Sequence, residues 1–541
     1  MPTAAPLATS ARAATLARLE RETFDIVVIG GGITGAGIAR EAVIRGLSVA
    51  LLEARDHASG TSSRSSKLIH GGLRYLAMGD VSLVRSTALE RKVIHRLAPH
   101  LAEPRWMVVP ARSRAGLMKL RAGVAAYEKL GAVEEKDLHR NWGRGELAEQ
   151  EPLLDRERFA FACVYREYLT DDARLVLANL RAAADRGAAV LNYAPVVAIS
   201  GGSGATDGVE AECALSGHQL RVRGRCVINA AGPWVDAVRR LEDGEARPRL
   251  TLSKGIHVVV PAERLPVRNM LILSAPDRRS IFVIRRGAAV YLGTTDTLYG
   301  KDHHWPAIER EDVEYLLAPV ARDLTCDPLA PEEIVAAWSG LRPLISEAGK
   351  LPSEISRKDE VWVGPRRVIS IAGGKLTGYR PMAREAVERA AKVCGLALAP
   401  EPAEEPTLPG GDFAGELDAF AASLGRTNRL SEDAALRLAR LYGSEAGAVL
   451  ERGAKPLAPG ALAMTGEVAW AVEVEGAVHL EDVLYRRTRT ALYDVTERET
   501  VVESMAAQMA AVRGWDHAQR EAEITRTRAR LAADLEFGRN P

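Results

Sequence analysis

The sequence predicts an α/β protein with three parts: a doubly wound domain, an inserted domain built on an antiparallel sheet, and a C-terminal helical domain. Three observations predict this fold class. Residues 24–54 have the pattern of a strand, a glycine turn, a helix and a second strand, and the strand-to-helix layout returns at 224–238 and 368–395. Apolar stretches such as 280–296 have the pattern of antiparallel hairpins. Amphipathic helical patterns follow residue 412.

The same patterns divide the chain into domains. Residues 1–22 are rich in Ala and have no acidic residue before Glu20, a composition shared by organelle transit peptides and short leader helices. We expect them to form a leader at the surface. The stretch 397–412, rich in Pro, Glu and Gly, is expected to be a linker. The remaining boundaries are 23–95, 170–250 and 350–396 for the doubly wound domain, 96–169 and 251–349 for the inserted domain, and 413–541 for the helical domain.

The composition is typical of a globular protein with two or three cores. The 541 residues include 72 Lys and Arg against 71 Asp and Glu, and 47% are hydrophobic. A net charge of +1 argues against nucleic-acid binding, which normally needs a basic domain or stripe. The five cysteines are scattered, so we expect free thiols and no metal site. The sequence contains no apolar run long enough for a transmembrane helix.

A glycine-rich turn after the first strand predicts a dinucleotide site. Gly30, Gly32 and Gly35 follow that strand in G-x-G-x-x-G spacing, and Glu53 ends the second strand about twenty residues later. These glycines allow a tight turn, close approach of a pyrophosphate, and close packing of helix on strand. The helix N-terminus offers N–H groups to the phosphates, and the carboxylate binds ribose hydroxyls. NAD and FAD share this arrangement, so the motif leaves the dinucleotide open.

The next segment, 59–75, combines hydroxyl groups with a cluster of cationic and aromatic residues. Its candidate cofactor ligands are Ser62, Ser63, Ser66 and Lys67. His70, Arg74 and Tyr75 follow beside a double glycine, a pattern typical of an anion site beneath a closely approaching ligand. A solvated polar loop is the alternative for the serines, and a structural role is the alternative for His70.

Seven motifs in register resemble the FAD-dependent glycerol-3-phosphate dehydrogenases. They are IGGGITGAGIAREAVIRG, SSKLIHGGLRYL, AAGPW, KGIHVVVP, GTTDT, SGLRPL and GGKLTGYRPMA. The similarity runs from about residue 20 to about residue 395, and the C-terminal part resembles that family more loosely. Two residues depart from the family pattern: Glu41 stands in place of the usual Asp, and Gly378 in place of Thr or Ser.

The resemblance implies a fold like that of the D-amino-acid-oxidase group, with FAD as cofactor. It also implies oxidation of sn-glycerol 3-phosphate to dihydroxyacetone phosphate, with electrons passed to a membrane quinone. A substrate phosphate needs several cations, preferably arginines, whose planar fork matches its oxygens. The positions that the family uses around its substrate correspond here to Arg74, Tyr75, Arg342, Arg357 and Lys375.

This reaction also needs a group that accepts the proton of the substrate hydroxyl. A histidine with a pKa of about 6.5 suits that role. His70 and His257 both lie in matching motifs, so the sequence leaves the choice between them open. Arg342 and Lys375 complete the expected catalytic set. Further contacts with the cofactor are expected at Gly232, Gly374, Leu376 and Thr377.

Segment 105–130 interleaves basic and apolar residues at helical spacing. This pattern predicts a helix that lies in the interface of a membrane. The alternative is an amphipathic helix packed on its own domain. We therefore expect a cytoplasmic protein bound peripherally to the cytoplasmic membrane, and the sequence leaves its oligomeric state open.

Three other functions are compatible with these residues. A glycerol-3-phosphate oxidase on the same scaffold would pass its electrons to oxygen. A flavoprotein acting on a bulky or nucleic-acid substrate is disfavoured by the net charge near zero. A non-catalytic FAD-binding sensor would bind the cofactor without being reduced by the substrate.

Overall fold

The structure, a computed structural model, describes residues 5–72, 80–202, 204–301, 303–347, 349, 355, 358–494 and 498–538. The strands are β1 Thr23–Ile29, β2 Val49–Leu52, β3 Leu68–Ile69, β4 Ala102–Ala111, β5 Arg140–Trp142, β6 Phe161–Thr170, β7 Ala189–Leu191, β8 Val196–Ser200, β9 Gly208–Glu212, β10 Gln219–Asn229, β11 Leu250–Pro261, β12 Met270–Ser274, β13 Ser280–Arg286, β14 Ala289–Gly293, β15 Thr297–Leu298, β16 Ala336–Ile345, β17 Asp359–Val363 and β18 Ile369–Gly373. The α-helices are α1 Arg12–Arg21, α2 Ile33–Ile44, α3 Val81–Leu97, α4 Arg114–Leu130, α5 Arg144–Gln150, α6 Asp172–Ala184, α7 Val235–Glu242, α8 Arg310–Asp323, α9 Tyr379–Cys394, α10 Leu417–Asn428, α11 Glu432–Tyr442, α12 Ala446–Glu451, α13 Thr465–Glu473, α14 Leu480–Asp482, α15 Thr490–Tyr493, α16 Arg498–Arg513 and α17 His517–Ala533.

The first sheet contains the strand that precedes the glycine turn. β1 lies between β2 and β10, and all three strands run parallel, with β7 beyond β2 and β18 beyond β10. Helices α2, α6 and α9 pack on one face, while α1 contributes to the core on the other. Burial on both faces explains why these strands are nearly continuous apolar runs. The doubly wound domain predicted from the sequence is confirmed.

The second sheet is mostly antiparallel and carries β11 and β16 as long neighbours. Their register places His257 opposite Trp338 and Ser253 opposite Arg342. The hairpin expected within 280–296 is present, because β13 pairs antiparallel with β14. The second sheet therefore places the motifs around His257 and Arg342, which are far apart in the sequence, on neighbouring strands.

The C-terminal helices do not form a separate body. Val468, Leu484 and Met505 share a buried core with Tyr291 and Trp338 of the second sheet. Burial of apolar side chains from both units in one core makes their packing interdependent. Among the helices of the described residues, none has both the length and the apolar character needed to span a bilayer.

A buried ion cluster joins the helical domain to the first sheet. Arg487 Nη2 donates to Asp56 Oδ1 at 2.9 Å, and Arg486 and Arg487 both contact the other carboxylate oxygen. All three residues are buried. Although burial opposes ionisation, Arg487 and Arg486 hold the pKa of Asp56 below its usual value.

The predicted leader and linker are both packed against the doubly wound domain. In the leader, Leu19 of α1 is fully buried and Arg12 Nη1 donates to Asn192 Oδ1 at 2.9 Å. In the linker, Glu405 accepts from Arg40 at 2.8 Å and pairs with Arg380. The linker composition predicted an irregular segment, but these ion pairs bind it to α2 and α9.

Two segments differ from their expected places. The helical pattern assigned to 105–130 is wrong for its first part, because Trp106 and Met107 lie on β4, which pairs with β6 along its whole length. Helix α4 begins only at Arg114. The short strand β3 falls in a segment proposed for the doubly wound domain but pairs with β6 in the second sheet. In both cases pairing with a distant strand overrides the local pattern.

We predict that Asp56→Ala lowers the free energy of unfolding by about 3–5 kcal/mol, because Arg486 and Arg487 would lose their buried counter-charge. Urea-induced unfolding of the FAD-free protein measures this change. The matched control is Glu360→Ala, which breaks an exposed pair with Arg249 and is expected to have little effect. Equal effects of the two substitutions would contradict the prediction.

Candidate active site

A cavity of about 800 Å³ lies between the two sheets. Its walls come from the glycine turn, the loop after β2, the second sheet and the turn before α9. The predicted site residues that line it are Gly30, Gly32, Glu53, Ser62, Ser66, His70, Gly232, His257, Arg342, Gly374, Lys375, Leu376 and Thr377.

One end of the cavity has the geometry of a dinucleotide site. Gly30 has a φ of +113°, and a Cβ at this position would lie 2.6 Å from the carbonyl oxygen of Ala230. Only glycine therefore allows β1 and β10 to approach at this turn. Glu53 Oε2 accepts from the Gly31 N–H at 2.6 Å, which holds its carboxylate beside the turn.

The backbone and hydroxyl groups at this end fit an FAD molecule. Gly232 has a φ of +55°, and no atom lies within 4 Å of the Cβ position, so its backbone opens to the cavity. Ser62 Oγ accepts from the Ile33 N–H at 2.9 Å, which places a hydroxyl at the N-terminus of α2. Donors at a helix N-terminus suit a pyrophosphate. The apolar side chains of Pro195 and Val196 complete the wall near Glu53.

Three predicted cofactor ligands do not reach the cavity. Gly35 lies within α2, where its missing Cβ allows contact with the carbonyl of Gly30, so its role is packing. Lys67 Nζ instead donates to Ser63 O at 2.8 Å and pairs with Asp172 at 3.1 Å. Lys67 is fully buried and Ser63 nearly so. The assignment of Lys67 and Ser63 as cofactor contacts is therefore corrected: they support the loop from behind.

His257 lies at the centre of the opposite wall. Its Nε2 is 2.9 Å from Ser66 Oγ, and its ring stacks on Trp338 with centroids 4.8 Å apart. Burial, with smaller contributions from Lys67 and Arg342, holds the pKa of His257 well below its usual value. The ring is therefore neutral.

Arg342 stands beside this histidine. Its guanidinium donates to Thr294 Oγ1 at 2.7 Å and to Thr295 O at 3.0 Å, and it pairs with Asp296 at 3.3 Å. These partners fix the plane of the guanidinium at the cavity surface. A fixed guanidinium fork can bind an anionic oxygen in the cavity at little entropic cost.

His70 is held by its backbone. Its N–H donates to Thr377 Oγ1 and its carbonyl accepts from the same hydroxyl, both at 3.1 Å. Thr377 lies in the turn that also presents Gly374 and Lys375 to the cavity. The motifs around residues 70 and 375 therefore meet in space. The predicted residues Arg74, Tyr75 and Arg357 lie outside the described residues.

The structure adds a buried carboxylate that the sequence analysis missed. Glu167 lines the cavity, yet it accepts from Arg91 Nη1 at 3.0 Å and from the Tyr127 hydroxyl at 3.1 Å. Burial raises the pKa of Glu167, while Arg91 and, more weakly, Lys375 lower it. Glu167 sits in a largely apolar strand without a motif, so no local signal marks it. The Tyr127 hydroxyl also accepts from the Gly71 N–H at 3.0 Å.

Comparisons with known proteins agree with this geometry. The family described as FAD dependent oxidoreductase matches residues 25–380, and the C-terminal domain of alpha-glycerophosphate oxidase matches residues 402–520. An aerobic glycerol-3-phosphate dehydrogenase of Staphylococcus haemolyticus is 37% identical over 90% of this chain and 91% of its own.

Solved structures show the same similarity. The glycerol-3-phosphate dehydrogenase of Bacillus halodurans complexed with FAD matches with a TM-score of 0.81 and 32% identity, over 98% of this chain and 99% of that one. The L-alpha-glycerophosphate oxidase of Mycoplasma pneumoniae, at 18% identity and a TM-score of 0.54 over 70% of this chain and 97% of that one, shares the fold. The chain therefore belongs to the FAD-dependent oxidoreductases, in the family of the aerobic glycerol-3-phosphate dehydrogenases.

Proposed function

We propose that this chain oxidises sn-glycerol 3-phosphate to dihydroxyacetone phosphate with FAD and passes the electrons to a membrane quinone. Family membership supports the substrate and the cofactor. The observation that carries the proposal is that one cavity joins the dinucleotide cradle at Gly30 to His257 and Arg342. When bound, FAD supplies the acceptor for the hydride that leaves C2 of the substrate.

In this proposal Arg342 and Lys375 bind the substrate phosphate. Both line the cavity on the side of the second sheet and the turn before α9. Arg342 is held by Thr294 and Thr295, so its fork is oriented before the substrate arrives. Fixed cations in a partly dehydrated cavity favour a phosphate ester over an uncharged alcohol. Arg74, Tyr75 and Arg357 remain proposed substrate contacts from the family resemblance alone.

His257 is the proposed acceptor of the substrate's hydroxyl proton. Nε2, which lies 2.9 Å from Ser66 Oγ, is the atom that would take the proton. The stacked Trp338 restricts the orientation of the ring. His70 lines the same cavity, and its backbone contact with Thr377 supports a role in shaping the turn. The proposal therefore favours His257 over His70, a choice that the sequence leaves open.

An apolar arm of the cavity supports an apolar electron acceptor. Met107, Val109, Leu120, Ile272 and Phe282 line this arm. Neither a phosphate ester nor the polar parts of a dinucleotide match such a surface, whereas a quinone ring does. The oxidase alternative requires only oxygen, which needs no shaped apolar wall.

Helix α4 supports attachment to a membrane surface. Its inner face contributes Leu120 to the apolar arm, and its exposed charged residues are all cationic. They are Arg114, Lys119, Arg121 and Lys129. Met118 on the same outer face is 57% exposed. A cationic and partly apolar face is attracted to anionic lipid, and it would bring the apolar arm close to the membrane that holds the quinone.

We predict that Arg342→Ala lowers kcat/KM for glycerol 3-phosphate about 10- to 150-fold, mainly through KM, because a charged hydrogen bond contributes about 1.5–3 kcal/mol. FAD content is expected to stay that of the wild type. Steady-state kinetics measures the change. Arg249→Ala, which removes an exposed arginine just before β11, serves as control. An unchanged KM in Arg342→Ala would show that the phosphate binds elsewhere.

We predict that His257→Asn slows reduction of the flavin by glycerol 3-phosphate about 10²- to 10⁴-fold, because a general base contributes that much. Anaerobic mixing followed by flavin absorbance measures the rate, with plain glycerol as the inactive control compound. His70→Asn, in the same cavity, is expected to retain a rate within about tenfold of the wild type. A larger loss in His70→Asn than in His257→Asn would reverse the assignment.

We predict that Leu120→Asp slows reoxidation by a short-chain quinone at least about tenfold, because a carboxylate in the apolar arm disfavours an apolar ligand. Reduction by glycerol 3-phosphate should stay within about twofold. Met118→Asp on the exposed face of α4 is the control, expected to react with the soluble quinone normally. Steady oxygen consumption without added quinone, unaffected by Leu120→Asp, would favour the oxidase alternative.

A further inference from the structure

An arginine of the C-terminal helical domain reaches the junction between β6 and α6. Arg489 Nε lies 3.2 Å from an Asp171 oxygen, and its Nη2 lies 2.8 Å from Asp172 Oδ1. All three residues are buried, with Arg489 only 1% exposed. Arg489 also has a left-handed backbone, with a φ of +65°, which strains a non-glycine residue. The fold therefore maintains a costly conformation at the residue that makes these two ion pairs.

Asp172 in turn holds the loop that contains the predicted cofactor serines. Its Oδ2 accepts from the Ser65 N–H at 3.1 Å and from the Ser65 hydroxyl at 2.7 Å. Lys67 Nζ lies 3.1 Å from the same oxygen. Arg489 also lies near this loop, since its Nη2 is 3.4 Å from Ser63 O. Loop residues on both sides of Ser66 are thus tied to one carboxylate.

Ser66 is the loop residue that contacts the histidine. Its hydroxyl lies 2.9 Å from His257 Nε2, and its carbonyl accepts from the Tyr291 hydroxyl at 3.0 Å. Trp338, which stacks on His257, donates from Nε1 to Ser65 O at 3.2 Å. A shift of the loop would therefore move Ser66, which contacts the imidazole of His257. It would also disturb the hydrogen bond that holds Trp338 in its stacked position on that imidazole.

We propose that Arg489 is a positioning residue for the reaction, acting through Asp172 and the serine loop on the Ser66–His257 pair. This inference rests on the proposed role of His257. It gives the helical domain a part in the chemistry beyond its share of the common core.

The charges around this contact explain why the arginine is needed. Asp171 has a second partner in Arg286, at 2.9 Å. Without Arg489, Lys67 would be the one cationic partner that the described residues give Asp172, and burial lowers the pKa of Lys67 to about 7. Because Arg489 contributes to that lowering, its removal would raise the pKa of Lys67 and strengthen the attraction between the ammonium group and Asp172. A carboxylate that loses its permanent counter-charge is expected to shift towards the lysine and to carry Ser65 with it.

The test compares Arg489→Ala and Arg489→Lys with Arg181→Ala. Arg181 pairs with Glu445 across the same domain boundary, but its charged group is not among those that contact the serine loop. We expect Arg489→Ala to lower the limiting rate of anaerobic flavin reduction about 10- to 100-fold, the effect of a small misplacement of reacting groups. The substrate concentration for half-maximal rate should change less than about threefold. Arg489→Lys should restore part of the rate, and Arg181→Ala should leave it unchanged.

A double-mutant cycle with Ser66→Ala identifies the route. If Arg489 acts through Ser66, adding Arg489→Ala to Ser66→Ala should slow the reaction by less than about threefold further. Effects that multiply would overturn the inference, and so would a wild-type rate in Arg489→Ala while His257→Asn is slow. An unchanged rate in His257→Asn would overturn the proposed role of His257 and this inference together, while glycerol 3-phosphate would still be shown to reduce the flavin.

Two readouts without turnover exclude a general loss of structure. For Arg489→Lys we expect the wild-type affinity for FAD, measured by titration of the apoprotein, and the wild-type midpoint of thermal unfolding. If Arg489→Ala does not fold, the double-mutant cycle with Ser66→Ala is measured with Arg489→Lys instead. The lysine ammonium keeps the positive charge but lacks the planar guanidinium that contacts both aspartates. If Arg489→Lys loses FAD affinity, thermal stability and the rate of flavin reduction together, Arg489 has a structural role only, and the inference is overturned.

Discussion

Two adjacent buried carboxylates, Asp171 and Asp172, determine how the parts of this protein fit together. Their counter-charges come from three separate regions: Lys67 from the serine loop, Arg286 from the second sheet, and Arg489 from the helical domain. Burying a carboxylate without a partner costs roughly several kcal/mol. Only an arrangement that brings all three cations together avoids this cost. This arrangement joins the serine loop, the second sheet and the helical domain next to the cavity.

The electrostatics of the cavity suit an anionic substrate. His257 stays neutral because it is buried near Lys67 and Arg342. A neutral imidazole adds no positive charge next to these cations, and its unprotonated ring nitrogen is a hydrogen-bond acceptor. At the far end, Glu53 is bound by the Gly31 N–H beside the dinucleotide turn. The two ends of the cavity thus differ in charge, as expected where a substrate phosphate and a ribose bind at different places.

Local features of the site were predictable from the sequence because their physical causes are local. Gly30 must be glycine, since its left-handed φ and the nearby Ala230 carbonyl exclude a side chain. The turn between β13 and β14 likewise follows from short-range pattern. Lys67 shows the limit of such reasoning. A lysine in a serine-rich loop is typical of an anion ligand, but here its ammonium turns inward to Asp172, more than one hundred positions away in the chain.

The sequence by itself determined the strand–turn–helix units of the doubly wound domain and the dinucleotide turn, because each depends on residues close together in the chain, and seven motifs in register indicated the family. Tertiary structure alone decided that Glu167 lines the cavity, paired with Arg91, and that Arg489 reaches the serine loop. It also decided that the segment around Trp106 is a strand. The physical reason is the same in each case. The partners of a buried charge or of a strand edge depend on long-range packing. The residue type at one position does not indicate which distant group it will contact.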